Sequence, residues 1–241
     1  MLLKTEAIVL KTMKYRETSV ISVFFTREEG MLTVFANGVR KDKARMHASL
    51  FQPPMLLETI LYYKPNGDMH RIKELKSGAP LFSLFENLKK TAIVQFMAEL
   101  IQKSTREKGP NPALFDFIKK SLMELESTGK INSLYPLHFM LNLTSFLGIG
   151  PDLQRESSGY FDLREGTLVS VQPTHSHYLD EESSAFLKMI FNVSTGDLDF
   201  IRLPAETKRE LLNHLTTYYL IHIDGMKPLR SPEILKTILS K

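Results

Sequence analysis

Residues 19–37 read SVISVFFTREEGMLTVFAN, two apolar runs separated by a charged turn. The first run consists mostly of β-branched and aromatic residues, which favour extended backbone. Gly30 closes the turn, and between Met31 and Asn37 the residues Leu32, Val34 and Ala36 alternate with Thr33 and Phe35, the period of two that buries one face of a strand. The stretch therefore predicts two consecutive strands, and the same kind of pattern continues on both sides.

Three further strands are predicted around this pair, at Lys4–Thr12, Pro54–Tyr63 and Met69–Lys76. The last two flank Lys64–Asp68, in which Asn66-Gly67 predicts a tight hairpin turn, because both residues tolerate positive φ. Five strands so close together favour a small closed or nearly closed barrel, since closure removes exposed edges. A five-stranded sheet packed against the helices that follow remains the alternative.

The pattern changes to a helical period at Ser83. Ser83 and Glu86 fit a capping box, in which the Ser side chain meets the N3 amide and the Glu side chain reaches back. A predicted buried stripe then recurs every four residues, at Leu84, Leu88, Ala92, Phe96 and Leu100. These residues predict the first helix.

Later helices have their own start signals. Asn111-Pro112 supplies an N-cap and an N1 residue, and one face of the helix that follows carries Leu114, Ile118, Leu122 and Leu125. A third helix is predicted from about residue 133 to residue 148, where a glycine stops it. Further helices are predicted near residues 181–191, 204–223 and 232–239.

The fold class predicted from these patterns is α+β, with an N-terminal five-stranded barrel followed by an all-α C-terminal domain. The boundary is expected at Ser77–Pro80, which gives domains of residues 1–79 and 80–241. Residues 151–178 interrupt the helical pattern with Gly, Ser and charged residues, and are expected to form a short irregular or β insertion. Strand-like pieces within it are Gly159–Leu163 and Thr167–Val171.

The sequence carries no pattern typical of a catalytic or cofactor site. Without cysteine it can form no disulfide, thiol nucleophile, iron–sulfur cluster or thiolate zinc site. Phosphate-binding glycine loops and the His-Glu-x-x-His pattern are missing. His175 and His177, the only histidine cluster, supply two ligands where zinc needs more. We therefore predict no cofactor, no metal and no enzymatic activity.

Membrane and secretory segments are not predicted either. No run of about 18 apolar residues occurs. Lys4 and Glu6 place charge where a signal peptide would need its apolar stretch. These features predict a cytoplasmic protein.

Positive charge is concentrated in the first third of the chain. Residues 1–80 hold 13 Lys and Arg against 8 Asp and Glu, whereas the whole chain has a net charge of +4. The densest group follows a predicted strand, at Gly38–Arg45. The cations predicted to contact DNA phosphates are Lys11, Lys14, Arg16, Arg27, Arg40, Lys41, Lys43 and Arg45. A solvated loop without a ligand is the alternative for the basic segment.

Three aromatic residues accompany these cations in the predicted barrel, namely Tyr15, Phe35 and Phe51. Aromatic rings on an exposed face can stack on bases and so bind a single strand with little sequence preference. The alternative, a place in the barrel core, is favoured for Phe35 and Phe51.

Several short segments occur along the chain in an order that matches a known family. In the N-terminal part they are Glu6–Lys11, Tyr15–Ser19, Thr26–Leu32, Gly38–Lys41 and Leu50–Pro53. In the C-terminal part they are Phe146–Leu153, Tyr219–His222 and Lys227–Ser231. Together they resemble the RecO family of DNA repair proteins over nearly the whole chain.

This resemblance implies an oligonucleotide-binding (OB) barrel and a helical C-terminal domain. It also implies binding of single- and double-stranded DNA, annealing of complementary strands and assistance in loading a recombinase. The implied partners are the RecR protein and the single-strand-binding protein. The acidic, hydrophobic C-terminal tail of the latter could bind an apolar groove of the helical domain, and we place this contact near Lys119 and Lys120.

One segment departs from the family pattern. Many members carry four zinc-binding cysteines after the residues matching Pro151–Leu153, but here residues 154–162 contain none. Packing through Tyr160, Phe161, Leu163 and Leu168 is expected to hold this segment instead. The functional alternatives are an RNA-binding barrel and a protein-interaction scaffold, with a metal-dependent nuclease as a more distant one.

Overall fold

The five predicted strands form a closed barrel in the computed structural model, which describes residues 1–41, 44–105, 109–153 and 159–239. The strands are β1 (Leu2–Tyr15), β2 (Ser19–Thr26), β3 (Gly30–Ala36), β4 (Leu56–Tyr62) and β5 (His70–Ser77). Their order around the barrel is β1-β2-β3-β5-β4. The β3–β5 pair is parallel and the other pairs are antiparallel. The barrel prediction is confirmed, and this Greek-key order is that of an OB fold.

The barrel core is formed by side chains that alternate along the strands with outward-facing ones. In β3 the residues Leu32, Val34 and Ala36 are buried as predicted, while Thr33 and Phe35 are partly exposed. A short 3₁₀ turn at Ala48–Phe51 inserts the buried ring of Phe51 into this core, where its centre lies 6.3 Å from that of Phe24. Phe51 is therefore a core residue.

The loop between β4 and β5 differs from the predicted hairpin. The Gly67 amide donates to the Lys64 carbonyl at 2.9 Å, so a turn is present. However, neither Asn66 nor Gly67 has positive φ, and the prediction of a tight Asn-Gly turn is wrong. Pro65 explains the difference, because its fixed φ near −65° at the second position of the turn favours a type I geometry, which needs no positive φ.

The chain divides into two compact units, residues 1–128 and 129–241. The first contains the barrel and three helices, α1 (Phe82–Glu86), α2 (Leu88–Ser104) and α3 (Pro112–Ser127). In this unit the buried rings of Phe25 on β2 and Phe115 on α3 lie 6.0 Å apart. The predicted domain boundary near residue 79 stays a prediction.

The predicted capping box at Ser83 is wrong. Asn87 ends α1 and caps α2, accepting from the amides of Lys89 and Lys90 at 3.0 and 3.2 Å. The amides of Ser83 and Leu84 instead donate to the carboxylate of Glu126 on α3, both at 3.0 Å. A tertiary contact thus replaces the local cap, and Asn is itself among the strongest N-cap residues.

The break at Asn87 also interrupts the predicted stripe. Leu88 is 84% exposed, contrary to prediction, whereas Leu84, Phe96 and Leu100 are buried as predicted. The prediction for α3 is confirmed. Asn111 accepts from the Leu114 amide at 2.9 Å, Pro112 begins the helix, and the four predicted face residues are buried.

The second unit contains four helices and a small sheet among its described residues. The helices are α4 (Tyr135–Phe146), α5 (Glu181–Asn192), α6 (Ala205–His222) and α7 (Pro232–Leu239), close to the predicted positions. The strands are β6 (Tyr160–Asp162), β7 (Thr167–Val169) and β8 (Tyr178–Leu179), in the order β7-β6-β8. The first two match the predicted strand-like pieces, and β8 was not predicted.

Packing and hydrogen bonds hold the sheet region at the place where the resemblance to the RecO family would imply bound zinc. Phe161, Leu163 and Leu168 are buried as predicted, and Tyr160 is partly buried. The Asp162 carboxylate accepts from the Arg164 amide at 2.8 Å and lies 3.1 Å from His175 Nε2. Over the described ranges, no three His, Asp or Glu residues are grouped as a metal site requires.

Within the same described ranges, no helix has both the length and the apolar character needed to cross a bilayer.

Candidate nucleic-acid interface

An aromatic pair lies on the outer face of the barrel, where β1 and β3 flank β2. Tyr15 is 38% exposed and Phe35 is partly exposed, and their rings meet edge to face with centres 5.7 Å apart. The Arg16 guanidinium lies 5.3 Å from the centre of the Tyr15 ring. These two aromatics are therefore open to solvent, unlike Phe51. Aromatic faces beside a cation are what a single strand needs for stacking.

The β1–β2 turn presents Arg16. Tyr15 pairs with Ser19, so only three residues make the reversal. Arg16 has φ of 53°, the one positive φ of a non-glycine residue among those described. Its exposed side chain projects at the end of the barrel, and in OB folds this loop forms part of the ligand-binding surface.

The loop after β3 brings more cations to the same end. Ser19 Oγ donates to Asn37 Oδ1 at 3.0 Å, and the Arg40 amide donates to the Thr18 carbonyl at 3.1 Å. Gly38 adopts φ of +69°, which lets the chain turn back toward the β1–β2 turn. These bonds place the backbone of Arg40 and Lys41 beside the turn that carries Arg16.

Six of the eight predicted DNA-binding cations are exposed and form no ion pair within the described part of the chain. They are Lys11, Lys14, Arg16, Arg40, Lys41 and Arg45. Lys43, a further predicted residue, lies outside the described residues. Unpaired exposed cations are suited to phosphate contacts, because no carboxylate competes with the phosphate.

Comparison with known proteins agrees with this architecture. Residues 1–80 match the family model "Recombination protein O N terminal", and residues 86–233 match "Recombination protein O C terminal". The chain belongs to the RecO family. The resemblance inferred from the sequence is thus confirmed, and only residues 81–85 lie between the two matched segments.

RecO relatives align with the chain from end to end. The DNA repair protein RecO of Phocaeicola vulgatus is 30% identical over 241 residues, covering 100% of both chains. The DNA repair protein RecO of Flavobacterium psychrophilum is 31% identical over 241 residues, again covering 100% of both. That of Bacteroides fragilis strain YCH46 is 31% identical over 240 residues and 99% of both.

Arg27, the remaining predicted cation of this RecO-family barrel, is engaged elsewhere. It lies just after β2, at the opposite end of the strand from Arg16, which is roughly 23 Å away for eight residues of strand. Its guanidinium forms a two-point ion pair with Asp116 of α3, with Nη2 at 3.0 Å from Oδ2. The structure therefore does not bring Arg27 together with the other cations.

The two lysines predicted to contact a partner lie on α3. Lys119 Nζ is 2.5 Å from Glu6 Oε1 on β1, so its charge is already paired. Lys120 is exposed and lies 3.7 Å from Glu124 one turn further along the helix. Of the two, Lys120 is the more available to a partner.

Sequence patterns missed part of the outer face. Strand pairing places Ile21 and Arg71 on either side of Phe35, and Met13 beyond Ile21. None of these three was predicted as a site residue. The alternation of Lys11, Met13 and Tyr15 along β1 could have indicated a common outward face. The pairing of Phe35 with Arg71 could not be predicted from neighbouring residues in the sequence, because it depends on the parallel β3–β5 contact.

Proposed function

We propose that this RecO-family chain is a non-enzymatic DNA-binding recombination mediator that acts in DNA repair. The observation that carries the proposal is the exposed Tyr15–Phe35 pair with Arg16, at the barrel end where the loop with Arg40 and Lys41 converges. Family membership supports a role in repair, since the relatives named above are DNA repair proteins.

The proposed binding mechanism combines stacking with charge neutralisation. Bases of a single strand stack on Tyr15 and Phe35, and the unpaired cations neutralise phosphates and release condensed counterions. Neither interaction reads base identity, so little sequence preference is expected. Duplex DNA would contact the same cations through its backbone without using the aromatic face.

Annealing follows from the same surface. A strand whose phosphates are neutralised repels its complement less, so the two strands meet more often. No bond is made or broken in this process, which is why no catalytic group is assigned. The mediator would act in the cytoplasm, where its DNA and protein partners are available.

The protein partners are proposed from family membership. We assign RecR as a partner, and the C-terminal tail of the single-strand-binding protein as a ligand near Lys119 and Lys120 on α3. The exposed ammonium of Lys120 supports the second assignment, because the tail is acidic. Removal of the single-strand-binding protein would then allow a recombinase to be loaded.

The binding of labelled oligo(dT) to the wild type and to the Tyr15→Ala and Phe35→Ala variants tests the proposal. Each substitution is expected to lower the affinity for single strands about tenfold, the loss typical of one stacked base. The control is Phe82→Ala, which removes a 71% exposed ring on α1 in the same unit. Equal loss in the control, or no loss at Tyr15 and Phe35, would contradict the proposal. Stronger binding of a matched RNA strand would favour the RNA-binding alternative.

A further inference from the structure

One row of outward-facing side chains crosses all five strands of the barrel. Strand pairing joins Met13 to Ile21, Ile21 to Phe35, Phe35 to Arg71 and Arg71 to Tyr62. All five are exposed or partly exposed, and Tyr62 is 50% exposed. The aromatic face described above therefore does not end at β3 but continues over β5 to β4.

Arg71 lies between the two aromatics of this row. Its strand pairs on one side with β3 at Phe35 and on the other with β4 at Tyr62. Neighbouring strands are about 4.8 Å apart, so the backbones of Phe35 and Tyr62 are separated by roughly 10 Å, with that of Arg71 between them. Arg71 is exposed and forms no ion pair within the described ranges.

An open cleft of about 490 Å³ adjoins Arg71 and Tyr62. Arg45, Lys73 and Asn37 also line it, and its described lining contains no carboxylate. A second cleft, on the β1–β4–β5 side of the barrel, shares Arg45 and Lys73 with the first but is also lined by four glutamates, including Glu58 and Glu74. The glutamates offset the cations of the second cleft, so the first is the better suited of the two to an anion.

We propose that a nucleic-acid strand bound to the β1–β2–β3 face continues across β5 into this cleft, with a base stacked on Tyr62 and the adjacent phosphate held by Arg71. Arg45 receives the next phosphate, together with Lys73, whose contact with Glu74 is a long one at 3.8 Å. A planar guanidinium between two stacking rings matches a backbone phosphate between two bases, because its paired donors can bind two phosphate oxygens. This inference rests on the proposed function, since it extends the path of the same strand.

A unique fluorophore tests the path directly. The chain contains no tryptophan, so Tyr62→Trp introduces a single indole on β4, and its emission can be followed as oligo(dT) of about 16 nucleotides is added, the upper end of an OB-fold site. The matched control is Phe82→Trp on α1. Quenching or a spectral shift is expected for Tyr62→Trp and not for Phe82→Trp.

Affinity measurements complete the test. Arg71→Ala and Tyr62→Ala are each expected to weaken binding of the same oligonucleotide about tenfold, whereas Arg202→Ala, an exposed arginine of the second unit, is expected to have no effect. If the wild type binds but Tyr62→Trp reports nothing and both alanine variants bind normally, the inference is overturned and the proposed function stands. If the wild type does not bind, the proposed function fails, and this inference fails with it.

Discussion

The guanidinium of Arg27 and the carboxylate of Asp116 form a two-point ion pair that joins the end of β2 to helix α3. The pair couples two residues separated by 89 positions. The hydrogen bond to Asp116 also raises the pKa of Arg27, as expected for a cation beside a carboxylate. Arg27 was predicted to bind DNA, but its position indicates a structural role.

We therefore expect Arg27→Ala to change DNA affinity far less than Arg40→Ala. Arg27→Ala, Asp116→Ala and the double variant should lower the melting temperature slightly and by similar amounts, because all three remove one surface ion pair. Thermal unfolding and oligo(dT) binding of these variants provide the measurement. A loss of affinity in Arg27→Ala equal to that in Arg40→Ala would place Arg27 in the interface after all.

Glu126 should make the stability of the first unit depend on pH. Burial alone would raise the pKa of Glu126, but the amides of Ser83 and Leu84 and the charge of Lys90 lower it below its ordinary value of 4.5. A lowered pKa in the folded state contributes stability above the unfolded pKa, and that contribution is lost as the pH falls through the folded value.

Glu126→Gln is expected to destabilise the protein by on the order of 1 kcal/mol at pH 7, as for loss of a helix cap. The difference from the wild type should shrink below about pH 4, where the glutamate is itself protonated. Glu86→Gln is the control, because Glu86 is exposed and caps nothing. Chemical unfolding at several pH values measures both. A larger loss of stability for Glu86→Gln than for Glu126→Gln would support the capping box instead.

Gly159 should be intolerant of any side chain. A Cβ there would lie 2.2 Å from the Val169 carbonyl oxygen, in the backbone of the neighbouring strand β7. Gly159→Ala is expected to destabilise the second unit by about 1–3 kcal/mol, as overpacking does. Gly129→Ala meets nothing within 4 Å and should be neutral. If the unfolding curves of the two variants coincide, the packing described for this sheet is contradicted.

Lys120 provides a test of the partner assignment. Lys120→Glu should weaken binding of the tail peptide of the single-strand-binding protein several-fold, because an acidic peptide would then meet a negative charge. Lys119→Glu is less informative, since it also breaks the ion pair with Glu6. Lys89→Glu, an exposed lysine at the start of α2, is the control. Unchanged peptide affinity in a variant with both Lys119 and Lys120 replaced by Glu would remove the assignment.

Local sequence patterns were sufficient to predict most of the strands and helices. The alternation in residues 31–37 located β3 and its buried face, and Asn111-Pro112 located the start of α3, because strand period and N-cap chemistry act over a few residues. The capping box predicted at Ser83 failed for a physical reason. The carboxylate that satisfies the Ser83 amide comes from Glu126, 43 positions away, which no local pattern reveals.

The candidate site was predicted less completely for the same reason. The sequence located the basic segment and Tyr15, whose exposure follows from its place at the end of β1. The partner of Arg27 and the row from Phe35 through Arg71 to Tyr62 depend on tertiary contact and strand register. The core assignment was correct for Phe51, which a 3₁₀ turn inserts into the barrel, but not for Phe35, which lies on the outward face of β3.

The salt dependence of single-strand binding tests the central claim most directly. Fluorescence anisotropy of a labelled oligo(dT) should be measured with the wild type and with Arg40→Glu/Lys41→Glu at several salt concentrations. We expect a log–log slope of about −2 to −4 for the wild type, corresponding to roughly 3–6 neutralised phosphates, and a shallower slope with weaker binding for the variant. Absence of binding at low salt, or a slope near zero, would contradict the barrel as a DNA-binding surface and leave a protein scaffold as the better account.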